Sequence, residues 1–186
     1  MKIYTRNGDD GTTGLYFGGR VAKNSARPSA YGDVDETQAA LGLARAHSDD
    51  DEMNHLLIAI QRDLWVVMAD LATGPDNRHK LDDGTTKVTA AMIEHLEATI
   101  DDITSRFDPP TEFIVPGGTV VGAELDVART VARRAERSAI SIADPGSFAI
   151  GYLNRLSDLL WTLARWQEGT SLTVRSVPTD PSPQES

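Results

Sequence analysis

The chain has 186 residues, 40% of them hydrophobic, enough for one buried core and short for two domains. Lys and Arg total 18 against 28 Asp and Glu, a net charge of -10 that excludes a nucleic-acid binder relying on a broad phosphate-neutralising face, so an anionic ligand must meet a local basic pocket. The absence of cysteine excludes disulfides, thiolate metal sites and a cysteine nucleophile; with neither a signal-like start nor ~20 consecutive apolar residues, a cytoplasmic setting off the membrane is expected.

Residues 1–24 carry Gly8, Gly11, Gly14, Gly18 and Gly19, too many for a helix interior, and predict an ordered or ligand-ordered loop. Within it, Thr5-Arg6-Asn7-Gly8-Asp9-Asp10-Gly11-Thr12-Thr13-Gly14 alternates glycines with hydroxyl and amide side chains, a composition that lets main-chain N–H groups approach phosphate oxygens. The Gly-Lys-Ser/Thr ending of a Walker loop is missing, and no strand precedes the segment. A merely flexible glycine-rich leader is the alternative.

From Ser29 the pattern turns helical. Tyr31, Val34, Gln38 and Leu41 recur at three- and four-residue steps to about Ala46, and Ser48-Asp49-Asp50 supplies a break and a cap. Met53, Leu56, Leu57, Ile60, Leu64, Val67, Met68 and Leu71 form the wide stripe of a second, core-facing helix ending before Gly74-Pro75. The polar residues 73–87 predict a mobile connection. A third helix carries Val88, Met92, Leu96, Ile100, Ile103 and Phe107 and stops at Asp108-Pro109-Pro110. After the strand-like Phe113-Ile114-Val115-Pro116-Gly117-Gly118, a fourth helix over Val120 to Ile142 shows a narrow seam of Leu125, Ala128, Ala132, Ala135, Ala139 and Ile142, suited to close packing at the centre of the fold. The fifth, Ser147 to Glu168, carries Leu153, Leu156, Leu160 and Leu163, with Gly169 closing it. These elements predict an all-α five-helix bundle in one domain over 1–168, followed by a disordered tail over 169–186 rich in Pro, Ser and acidic residues.

Arg129, Arg133 and Arg137 are spaced by four and stack on one side of the fourth helix, with Arg134 and Glu136 beside them. Aligned cations repel unless carboxylates or a polyphosphate stand opposite, and the fixed fork of arginine matches phosphate oxygens. Asp33, Asp35, Glu36 and Asp158 are candidate carboxylates, so the pattern allows one arginine paired structurally and the others on a ligand; a solvated helix face is the alternative. Asn154 and Asp158 share a face of the fifth helix, either toward a ligand or toward neighbouring helices. His47, His55, His79 and His95 are scattered, and no metal site is expected.

Together, Lys2-Ile3-Tyr4-Thr5-Arg6-Asn7-Gly8-Asp9 with Gly14-Leu15, Arg20-Val21-Ala22-Lys23, Tyr31-Gly32-Asp33-Val34-Asp35-Glu36, Phe113 to Thr119, Arg129 to Arg137 and Tyr152 to Asp158 closely resemble the PduO-type ATP:cob(I)alamin adenosyltransferase family. The resemblance spans residues 2 to about 166. It implies a homotrimer with ATP bound between subunits, by the N-terminal loop of one and the arginine helix of the next. It implies ATP contacts for Thr5, Arg6, Asn7, Gly8, Thr13, Gly14, Lys23, Arg133, Arg134, Glu136, Arg137 and Asn154, and catalytic roles for Arg129, Arg133, Asp35 and Phe113. Asp35 and Arg129 look like the family's charge pair across the subunit boundary, and Phe113 like the aromatic residue that binds under the corrin ring and keeps the dimethylbenzimidazole off cobalt. ATP and cob(I)alamin are then substrates, with Mg²⁺ on the triphosphate, and a flavin-type reductant and an adenosylcobalamin-dependent client enzyme are the implied partners. The chain departs from the family's usual pattern at Arg6-Asn7, commonly Lys-Thr, and at Thr37-Gln38-Ala39, commonly Leu-Asn-Ser. Two other classes fit the bundle: a non-catalytic carrier of adenosylcobalamin, and a plain interaction bundle without ATP affinity.

Overall fold

The computed structural model describes residues 3–177. Five helices form where periodicity predicts them: α1 (Ala26–His47), α2 (Asp51–Ala72), α3 (Ala90–Thr104), α4 (Val120–Ile140) and α5 (Ala149–Glu168). The first starts at Ala26 rather than Ser29, because Pro28 falls in the first turn, where a missing N–H has no partner to lose. Asp50 caps α2 by accepting from the Met53 N–H, and Thr119 caps α4 by accepting from the Gly122 N–H. Gly169 ends α5 with a positive φ of 66°.

The arrangement follows from which faces are apolar. Ala128, Ala132, Ala135 and Ala139 of α4 are fully buried, and these small side chains let α4 sit close between α1 and α5. The stripe Leu153, Leu156, Leu160 and Leu163 of α5 is also fully buried; each such leucine stabilises the fold by about 2 kcal/mol relative to exposure. Helix α2 packs on α1 and α3 on α5, and buried residues of all five helices share one cluster. No helix among the described residues is long and apolar enough to cross a membrane.

Three segments differ from the sequence expectation. The glycine-rich leader contains a short antiparallel hairpin, β1 (Thr12–Gly14) with β2 (Arg20–Ala22), in register Thr12 to Ala22. Its turn is possible because Phe17, Gly18 and Gly19 all adopt positive φ, while the Leu15 N–H donates to the Gly19 carbonyl at 2.9 Å. The connection expected to be mobile is instead tied down: Pro75–Lys80 form a 3-10 turn, and the buried Asp70 carboxylate holds Arg78 at 2.8 Å and the Val88 N–H at 3.0 Å. Arg78 also reaches Asp144 at 3.0 Å, so one ion cluster joins this connection to the turn before α5. Finally, the first part of the segment expected to be a free tail folds back. The Val115 N–H donates to Leu172 and the Val174 N–H to Phe113, both at 2.8 Å, because residues 113–115 present unpaired backbone that a second extended segment satisfies. The rest of that expected tail, 178–186, lies outside the described residues, as do Met1 and Lys2.

Candidate functional site

The N-terminal loop is held by one side chain that sequence reasoning did not single out. Arg20 donates to the Asn7 carbonyl at 2.5 Å and to Thr12 Oγ1 at 2.6 Å, drawing Asn7 toward the hairpin. Thr12 in turn donates to Asp10 from its main chain and its hydroxyl, and these bonds hold the Asp10 carboxyl below its usual range. Arg6 stands at φ 63°, a left-handed conformation that costs a non-glycine residue about 1 kcal/mol and persists only where neighbours fix it. Lys23 closes on the same loop: its N–H donates to Gly11 at 2.9 Å, and a Cβ at Gly8 would lie 3.0 Å from Lys23 Nζ. Glycine at position 8 therefore leaves room for the ammonium. Thr13 and Gly14 lie on β1, and Thr5 is exposed before the loop.

The loop is anchored to the bundle at its far end. The Tyr16 N–H donates to the Ala72 carbonyl at 3.0 Å, and the Arg27 guanidinium donates to the carbonyls of Leu71, Thr73 and Ile142. One cation thus gathers the C-terminal ends of α2 and α4 under the loop, where unsatisfied carbonyls collect.

The arginines of α4 divide into two kinds. Arg134 is committed within the chain: it pairs with Asp33 at 3.2 Å and with Glu36, both on α1. Arg129 Nε donates to Asp126 at 2.9 Å, one turn back on its own helix. Arg133 and Arg137 are exposed, and among the described residues neither makes an ion pair; Arg137 bonds only the Arg133 carbonyl. Next to them, Asn154 of α5 donates to Glu136 at 3.0 Å, so α4 and α5 bring Arg133, Glu136, Arg137 and Asn154 together at the surface. Asp35 is exposed on α1, and within one chain it does not meet Arg129.

Phe113 stands apart from that cluster. Its side chain is 89% exposed at the rim of a cavity of about 850 Å³, the scale of a small-molecule site. The walls come from residues 110–114 and Pro116, from Asp126 and Arg129 of α4, from Trp161 and Arg165 of α5, and from Val174 and Arg175. At its base lies a buried ionic chain. Asp126 accepts from Arg129 on one oxygen and from Arg165 on the other, at 2.9 and 2.6 Å; Arg165 Nε lies 3.1 Å from Glu168; Glu168 accepts from the Gly118 N–H at 3.1 Å. Asp126, Arg165 and Glu168 were not legible as site residues. They fall off the leucine and alanine stripes and read as a polar helix face; in the fold Asp126 pairs with Arg165 across α4 and α5, and Glu168 meets the Gly118 N–H.

Among the described residues no three histidine, cysteine or carboxylate side chains gather as a metal site. The arrangement instead offers exposed cations suited to a polyphosphate and an aromatic rim over a half-open cavity.

Comparison with known proteins identifies the family. The family model described as cobalamin adenosyltransferase matches residues 3–167. A corrinoid adenosyltransferase of Mycobacterium leprae is 44% identical over 171 residues, covering 88% of this chain and 90% of the relative. The corrinoid adenosyltransferase PduO of Salmonella typhimurium is 40% identical over 176 residues, covering 90% of this chain and 50% of that longer protein. Among solved structures, a phenylalanine-to-alanine variant of a Lactobacillus reuteri PduO-type ATP:corrinoid adenosyltransferase, complexed with cobalamin and ATP, superposes with a TM-score of 0.85 at 31% identity, covering 94% of this chain and 99% of that one. An arginine-to-lysine variant from the same organism, complexed with ATP, gives a TM-score of 0.83 at 30% identity over 93% and 100% of the two chains. With the family model spanning nearly the whole bundle and these relatives matched over most of their length, the chain belongs to the cobalamin adenosyltransferase family.

Proposed function

We propose that this chain transfers the 5′-deoxyadenosyl group of ATP to cob(I)alamin, giving adenosylcobalamin and triphosphate. The electron pair of Co(I) attacks the ribose 5′ carbon, the cobalt–carbon bond forms, and the carbon–oxygen bond to the triphosphate breaks. No protein nucleophile is needed, so acceleration rests on alignment and on stabilising charge on the leaving group. The observation that carries this reading is the pair Arg133 and Arg137, exposed beside Asn154 and without carboxylate partners among the described residues, on a helix whose other arginines are paired.

In this reading Arg133 and Arg137 hold the triphosphate, with Lys23, Arg6 and the main chain of Thr5, Asn7, Gly8, Thr13 and Gly14 around the nucleotide. The chain would act as a homotrimer, the loop of one subunit facing the α4 of the next, with Asp35 and the unengaged nitrogens of Arg129 meeting across the boundary. Mg²⁺ would travel on the phosphates. Phe113 would lie under the corrin, offering an apolar face that cannot coordinate and so easing reduction of cobalt(II) by a flavin-type donor in the cytoplasm. The product would pass to an adenosylcobalamin-dependent enzyme.

Incubating protein, ATP and chemically reduced cobalamin tests the proposal. Release of triphosphate with a light-sensitive cobalt–carbon product is expected; binding of both substrates without turnover would make the chain a carrier, and no ATP affinity in calorimetry would leave an interaction bundle.

A further inference from the structure

The buried charges beneath the cavity call for a functional account, because an ionic chain removed from water is a poor source of stability compared with apolar packing. Arg165 and Glu168 each keep 1% of their side-chain surface, and Arg165 Nη1 has no hydrogen-bond partner. Their partners are telling. One end of the chain of contacts is Arg129, on the cavity wall; the other is the Gly118 N–H, which closes the 113–118 segment carrying Phe113. The approach at that end is close: a Cβ on Gly118 would lie 3.2 Å from the Glu168 carboxyl carbon, and one on Gly122 would lie 2.9 Å from Glu168 Cγ. Ser171 also donates to Glu168 at 3.3 Å, joining the returning segment that pairs with residues 113–115.

We propose that Glu168 and Arg165 are positioning residues for the corrinoid: Glu168 fixes the end of the Phe113 segment, and Arg165, through Asp126, ties that position to the orientation of Arg129. This rests on the reading of Phe113 as the residue beneath the corrin. Charge suits the task because both ends of the chain are polar groups with one geometry each, a main-chain N–H and a guanidinium Nε. Apolar packing in the same space would tolerate sliding. A shift of the segment would move the Phe113 ring relative to the cavity while leaving the exposed Arg133 and Arg137 where they are.

The test uses the full chain with ATP and cobalamin. Glu168→Ala is expected to raise the KM for the corrinoid roughly tenfold and lower turnover by one to two orders of magnitude, as a misplacement near 1 Å does. The ATP affinity measured by calorimetry should stay within about twofold, since the phosphate-facing groups are untouched. The four-coordinate cobalt(II) signal in electron paramagnetic resonance with ATP present should fall. Glu168→Gln keeps an acceptor for the Gly118 N–H and should restore part of that signal. If Glu168→Ala does not fold, Gly118→Ala presses on the same carboxylate from the exposed side, and the same split between the two substrates is expected. Equal loss for ATP and corrinoid, in proportion to folded protein, or an unchanged spectrum and corrinoid KM in a folded variant, overturns the inference. Phe113→Ala run alongside separates the two failures: if it too leaves the spectrum unchanged, the reading of Phe113 falls; if it abolishes the signal while Glu168→Ala and Gly118→Ala do not, only the positioning role falls.

Discussion

Two sets of charged side chains on the same pair of helices are treated in opposite ways. On the outer face of α4 and α5, Arg133, Arg137 and Asn154 stand exposed, and the two guanidinium groups keep most of their donors free. On the face toward the 113–118 segment, Asp126, Arg165 and Glu168 are buried in alternating sign with short contacts. Leaving a cation unpaired in water costs little, so the outer set can wait for an anion; a buried cation must be paired as folding occurs. The outer set is thus available for chemistry, and the inner set for shape.

Breaking the inner set should give the largest effect. Arg165→Met leaves the Glu168 and Asp126 carboxylates short of a partner and should lower unfolding free energy by about 3–5 kcal/mol, read as a fall in the urea midpoint at constant slope. Next comes the outer set. Arg133→Ala should remain folded by circular dichroism while turnover falls at least a hundredfold, about 3 kcal/mol of lost transition-state stabilisation; near-normal turnover would remove Arg133 from the mechanism. A neighbour sharpens the contrast: Arg134→Ala, which loses only partly exposed pairs to Asp33 and Glu36, should lower stability by ~1 kcal/mol and turnover far less than Arg133→Ala.

The smallest effect lies at a third charged position. Burial raises the Asp63 carboxyl above its ordinary value, against the opposing hydrogen bond from Tyr152 and the charges of His95 and Arg62. The folded chain then keeps this proton where the unfolded chain has lost it. Stability should therefore fall as pH rises from the ordinary carboxylate range through the raised value, and Asp63→Asn should flatten that part of a thermal-midpoint profile. A profile unchanged by the substitution would show that Asp63 titrates normally.

The five helices were legible because each buries its own stripe: the alanines of α4 and the leucines of α5 repeat at the helical period and are fully buried. Arg133 and Arg137 were legible as a pair for the same reason, since spacing alone puts neighbours one turn apart on one face; that Asn154 of α5 stands beside them is decided by the packing of α5 on α4. The hairpin at residues 12–22 was not, because three-residue strands carry too little alternation to stand out from a glycine-rich loop. The order of the connection over 73–87 was not legible: its polar composition is that of a loop, and only the contacts of Asp70 with Arg78 and with the neighbouring Val88 N–H reveal why it is ordered.

What the amino-acid sequence determined by itself is therefore local and periodic: five helices, the cap of α2 within Ser48-Asp49-Asp50, and a row of arginines on one side of α4. Only the tertiary structure decided which charges face water and which are enclosed. Asp126, Arg165 and Glu168 lie on helix faces whose pattern reads as polar, and their burial goes with partners distant in the chain: Asp126 of α4 pairs with Arg165 of α5, and Glu168 accepts from the Gly118 N–H. Periodicity reports the contacts a helix makes along its own axis; enclosure depends on chain segments that arrive from elsewhere, and no local pattern encodes them.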